Sequence, residues 1–124
     1  MAQTADESLG LALRHLKRVR GSWDPPDWAD LSLYGFYCLE ACVVAAALHV
    51  GWQRPTGHPR KEDAAQRLST THGLPDVAGL LVKLNEMRKY EAYGDVVPPD
   101  ELVPEDTAQE IEEYVESIKA LIGW

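Results

Sequence analysis

Three features of the sequence predict an all-α fold, a five-helix up-and-down bundle. Apolar residues recur at three- and four-residue spacings in five separate stretches, and glycines and prolines fall between them. No stretch alternates apolar and polar residues over strand length between turn residues; runs such as Asp95-Val96-Val97 are too short to build a sheet. The chain has no internal repeat. Its 124 residues, 45% apolar and 26% charged, suffice for one core without a metal or disulfide staple, so residues 1–124 are read as a single domain.

The first helix is expected over Thr4 to Arg20. Thr4 is a cap residue with Glu7 three positions on, and Leu9, Leu13, Leu16 and Val19 form one apolar stripe before Gly21. Trp23-Asp24-Pro25-Pro26 then makes a stiff connection, because adjacent prolines cannot continue a helix. A second helix should start near Asp27 or Asp30 and run to Val50. Its seam of Tyr34, Cys38, Ala41, Ala45, Leu48 and Trp52 is joined by Leu33, Phe36, Tyr37, Val43, Val44 and Ala47 around most of the remaining circumference. A helix apolar on nearly all sides belongs in the middle of the bundle. The run Ala45-Ala46-Ala47 lets another helix approach closely, within the chain or across a dimer interface.

Gln53 to Arg60 holds two prolines and a glycine and reads as a loop before a short third helix, Lys61 to Thr71, with Ala64, Ala65 and Leu68 inward and Gly73 as its stop. Pro75-Asp76 opens a fourth helix to about Tyr93, with Val77, Leu80, Leu81, Leu84 and Met87 as its stripe and Gly94 as its C-terminal cap. Residues 95–104 contain three prolines and read as a surface strap. Residues 105–124 form the last helix, with Ile111, Val115, Ile118 and Ile122 on one side and a dense acidic face on the other.

Charge is distributed unevenly. Residues 1–90 carry 11 Lys and Arg against 10 Asp and Glu, whereas residues 91–124 carry one against 10. An acidic end argues against a sequence-independent duplex binder, whose affinity comes from neutralising phosphates. The basic set Arg14, Lys17, Arg18 and Arg20 reads as a solvated helix face. Leu31 to Gln53 carries one charge, Glu40, but its Ser32, Tyr34, Gly35, Tyr37 and His49 make it too polar for a membrane span. With no secretory signal at the start, the expected compartment is the cytoplasm. Cys38 and Cys42 lie four apart on one helix, where a disulfide would distort the backbone, so both are expected as reduced, buried thiols. With His49 they offer too few ligands for zinc, and no metal or other cofactor is expected.

Glu40 is the one formal charge between Asp30 and Arg54, on a helix expected to be buried. A buried carboxylate is costly unless it is paired, and Arg88, on the inward edge of the fourth helix, is the best candidate partner. Either the two form a structural ion pair or they mark a polar pocket that a nucleotide or RNA phosphate enters. The end of the fourth helix gathers Arg88, Lys89, Tyr90 and Tyr93. Arg88 suits a phosphate through its planar fork, Lys89 adds charge, and Tyr90 or Tyr93 can stack on a base. The alternative is an exposed helix end with cations near its negative dipole. His58, between Gly57 and Pro59, is expected to cap the third helix rather than to act in catalysis.

The order of these features, a long apolar helix closing at Leu48-His49-Val50-Gly51, a loop with His58, a short helix closing at His72-Gly73, and a helix ending Arg88-Lys89-Tyr90-Glu91-Ala92-Tyr93, resembles the HEPN domain over about residues 30–95. The resemblance implies a helical bundle that pairs two-fold, either a metal-independent ribonuclease, a partner of a nucleotidyltransferase, or a noncatalytic RNA-binding or scaffold module. Ribonucleases of the family share an Arg followed four to six residues on by a His. Here Arg88 is followed by Tyr93, and a phenol of ordinary pKa near ~10 is a poor general base at neutral pH. The expectation is therefore a noncatalytic homodimer binding RNA, a nucleotide or a protein partner through Glu40, Arg88, Lys89, Tyr90 and Tyr93. The alternatives are a toxin-type ribonuclease using Arg88 and Tyr93, and a structural interaction protein using the acidic last helix.

Overall fold

The computed structural model describes residues 4–91 and 102–124. Within them the chain is all-α: α1 (Ala5–Arg20), α2 (Trp28–His49), α3 (His58–His72), α4 (Ala78–Glu91) and α5 (Pro104–Ile122), with no strand among the described residues. The α1 cap is the expected one, since the Thr4 hydroxyl accepts from the Glu7 backbone N–H at 3.1 Å. Asp27 caps α2 in the same way, accepting from the Asp30 N–H at 3.1 Å.

Two helix starts differ from expectation. α3 begins at His58 rather than Lys61, because Pro59 falls in the first turn, where its missing N–H leaves no helical bond unmade. α4 begins at Ala78, and the Asp76 carboxylate accepts from the Ala78 N–H at 3.0 Å just ahead of it. The expected end of this helix at Tyr93, its Gly94 cap and most of the proline-rich strap over 95–104 lie outside the described residues.

α2 is the hub. It packs against α1, α3, α4 and α5; α1 also meets α5, α3 also meets α4, and α3 and α5 do not touch each other. Phe36, Leu39, Val43, Ala45, Ala46 and Ala47 are all fully buried, so the alanine run is covered within one chain. Full burial of a large aliphatic or aromatic side chain is worth about 1.5–3 kcal/mol, so each large side chain that α2 buries against its neighbours contributes on that scale. It is also long and apolar enough to cross a bilayer by length and composition, because a few hydroxyls and two acids, Asp30 and Glu40, do not offset its Leu, Val and Ala content. The expectation that it is too polar for that is corrected. Here its apolar residues are mostly covered by the other four helices.

At Gly35 the absence of a side chain matters: a Cβ there would lie 2.8 Å from Ile111 Cδ1 and 3.4 Å from Leu84 Cδ1. Gly35 thus lets α2 approach α4 and α5 together. The stripe of α4 is buried as expected, from Val77 to Met87. On α5, Ile111, Val115 and Ile118 are joined by Tyr114, which is fully buried with its hydroxyl unpartnered among the described residues. Burial pushes the Tyr114 phenol well above its ordinary range, with the thiol of Cys42 and the carboxylate of Asp76 adding to the shift. An ion pair between Arg20 and Glu112 ties α1 to α5 at the surface.

Candidate functional site

Glu40 is buried, as the pattern of α2 predicts, and both its oxygens are engaged. His58 Nδ1 lies 2.7 Å from Oε2, and Lys61 Nζ lies 3.6 Å from Oε1. The early start of α3 makes this possible, because its first turn brings His58 and Lys61 beside Glu40. The expected partner, Arg88, is elsewhere. Its guanidinium carbon sits 5.1 Å from the centroid of Phe36 and 5.9 Å from that of Tyr37, one helical turn before Glu40. His58 does not cap α3: Gly57 holds the cap position, with no side-chain hydrogen bond there.

Arg88 is held by its own helix. Nη2 donates to Asn85 Oδ1 at 2.7 Å, while Nε is buried with no hydrogen-bond partner among the described residues. An unmade bond of this kind costs about 1–3 kcal/mol, only part of which proximity to two aromatic faces returns. Phe36 links the two halves of the site, since the His58 ring meets it edge-on at 5.0 Å while Arg88 lies over it. Glu40 and Arg88 therefore belong to one neighbourhood without touching. Lys89 and Tyr90 are exposed, Tyr90 at 56%, and take no part in this neighbourhood. Tyr93 lies outside the described residues.

Beside Glu40 a cavity of about 260 Å³ opens between α1, α2 and the start of α3, walled by His15, Tyr37, Glu40, Arg54 and Lys61 over an apolar floor that includes Ala41 and Val44. The His15 ring is 5.5 Å from that of Tyr37 and 6.0 Å from that of Tyr34. Burial, reinforced by the charge of Arg14, holds the His15 imidazole below its ordinary pKa and so favours its neutral form. The site thus offers a carboxylate, two aromatic rings of polar character and cations from Arg54 and Lys61. With Nδ1 committed to Glu40, His58 keeps Nε2 for a further partner, and its side chain is 42% exposed.

Sequence reasoning does not reach His15, Arg54 and Lys61 as members of one site. Each is an ordinary polar residue on its own element, and only the packing of α1 and α3 on α2 collects them. The one available signal is the isolated Glu40, which requires cations from somewhere. Cys38 and Cys42 are free and buried, and the Cys38 side chain, with burial, pushes the Cys42 thiol well above its ordinary range. No group of three or more metal-ligating side chains occurs among the described residues. No family model matches the chain, and neither a curated protein nor a solved structure matches it.

Proposed function

We propose that the chain is a noncatalytic, HEPN-like cytoplasmic module that pairs two-fold and binds RNA or a nucleotide, with a nucleotidyltransferase as one class of protein partner. The observation that carries this is the cavity at Glu40. A buried carboxylate, the Tyr37 and His15 rings and the cations Arg54 and Lys61 surround a space of about 260 Å³. Rings suit a base, cations suit a phosphate, and a carboxylate accepts from ribose hydroxyls or base amines. Arg88, partly exposed on the neighbouring side of Phe36, adds a guanidinium charge that suits a phosphate.

One observation favours the ribonuclease alternative. His58, oriented by Glu40, reaches the Phe36 ring that Arg88 also covers, and supplies an imidazole in place of the one missing at Tyr93. Incubating the purified protein with labelled single-stranded RNA separates the readings. Binding without cleavage, weakened by Arg88→Ala, is the expected result. Cleavage that falls by about 10²–10⁴-fold in His58→Gln, the usual range for a lost general acid or base, would establish the ribonuclease. Neither binding nor cleavage leaves the structural interaction protein.

A further inference from the structure

The connection from α2 to α3 forms a second concavity of about 310 Å³, walled by Trp52, Arg54, Arg60, Asp63 and Arg67. Arg54 stands in the wall of this cavity and of the one at Glu40, so the two adjoin. The Arg67 guanidinium carbon lies 4.3 Å from the centroid of the Trp52 ring, which makes a T-shaped contact with the His72 ring at 5.9 Å between centroids. Trp52 therefore backs the Arg67 guanidinium. Arg60 and Arg67 are exposed, and neither is paired with a carboxylate among the described residues.

This corner is locally basic in an acidic protein. Residues 52–72 contain Arg54, Arg60, Lys61 and Arg67 against Glu62 and Asp63, and with Glu40 of α2 set against Lys61 the corner still carries +1, while the whole chain carries −8. The acids of α5 do not cancel it, because α5 does not touch α3. Neighbouring helices are about 8–10 Å apart, and exposed charges are largely screened beyond about 8 Å at physiological salt.

From the adjoining cavities we infer that the α2–α3 corner is the track of single-stranded RNA running from the Glu40 cavity, with Arg54 and Arg60 on backbone phosphates and the Arg67 plane, backed by Trp52, under a base. It rests on the nucleic-acid reading proposed above and narrows it. A mononucleotide has one phosphate and one base and occupies one cavity, whereas a strand repeats both and fills two. An acidic peptide would use the arginine charges but has no use for a guanidinium plane braced by an indole.

The test is fluorescence anisotropy with 5′-fluorescein octauridylate, with unlabelled UMP and polyglutamate as competitors. The octamer should bind at least tenfold more tightly than UMP. Arg60→Gln combined with Arg67→Gln should weaken the octamer at least tenfold, leave UMP unchanged, and flatten the plot of log affinity against log salt by about 0.7 for each phosphate no longer neutralised. Arg67→Lys keeps the charge and loses the plane, so affinity should fall with the salt slope unchanged. All three substitutions are at exposed positions, and circular dichroism checks that the variants fold. If UMP competes as well as the octamer, or polyglutamate does, the track is overturned. If Arg88→Ala abolishes octamer binding while the double variant binds like the parent, the track falls and the Glu40 site stands. If the parent binds neither octamer nor UMP at low salt, both readings fall together.

Discussion

Among single residues, Glu40 shows best what the sequence conveys. The one acid beyond the first turn of an otherwise apolar helix had to be buried and had to be paired, and it is both. Its partners are not legible in the sequence, because they depend on where α3 starts and how it leans on α2. Removing one partner should expose the cost. Among the described residues, His58→Ala leaves the carboxylate with Lys61 alone and is expected to lower stability by about 1–3 kcal/mol in urea denaturation. Glu40→Gln keeps the shape, removes the charge and should cost less, and the double variant should be milder than the sum of the two, since they share one interaction. His15 makes a second prediction. Its folded pKa lies below the unfolded value near 6.5, so on acidification the unfolded chain takes up a proton before the folded one does. Stability should therefore decline as pH falls below about 6.5, and level off once the folded imidazole also titrates. His15→Gln should show a smaller decline in urea midpoint between neutral pH and mild acid. The buried thiols of Cys38 and Cys42 should react with a thiol reagent only after denaturation, a check by absorbance on the native and unfolded protein.

At the level of elements, the helices and most of their boundaries are legible because period, caps and breakers agree along the chain. The start of α3 is not, since Pro59 can belong to a loop or to a first helical turn, and only packing on α2 decides which. Tyr114 is absent from the stripe expected on α5, which is Ile111, Val115, Ile118 and Ile122, yet its position three residues after Ile111 turns it inward. Gly35 gives the sharpest test of helix packing. On propensity alone Gly35→Ala would stabilise α2 by up to about 1 kcal/mol. The clash with Ile111 Cδ1 should outweigh that, and a net loss of about 1–2 kcal/mol is expected, given that overpacking costs about 1–3. Combining it with Ile111→Val removes the clashing methyl, so the double variant should be more stable than the two single effects together imply. A thermal melt of the four proteins decides it.

Over the whole molecule, the uneven charge is plain from composition, but its arrangement is not: the basic corner at α3 and the acidic α5 both lean on α2 without touching. Two-fold pairing is expected in part because α2 reads as too apolar for its neighbours to cover. Its run Ala45-Ala46-Ala47 is fully covered within one chain, so a dimer must use another surface. Among the described residues, the exposed large apolar side chains Val82, Tyr90, Val103 and Trp124 are the places to look. Light scattering should give twice the 13.8 kDa chain mass at micromolar concentration; the single-chain mass would remove the paired assembly from the proposal. The hub position of α2 also has a consequence for biosynthesis. The ribosome delivers α2 before three of the four helices that cover it, and at about 5–20 residues per second the apolar helix waits seconds for α5. Until α3 emerges, α1 is its only cover, and a chain released early would display a segment that bilayers and chaperones both bind. Expressed without α5, the protein should pellet or co-purify with a holdase, while the full chain stays in the supernatant.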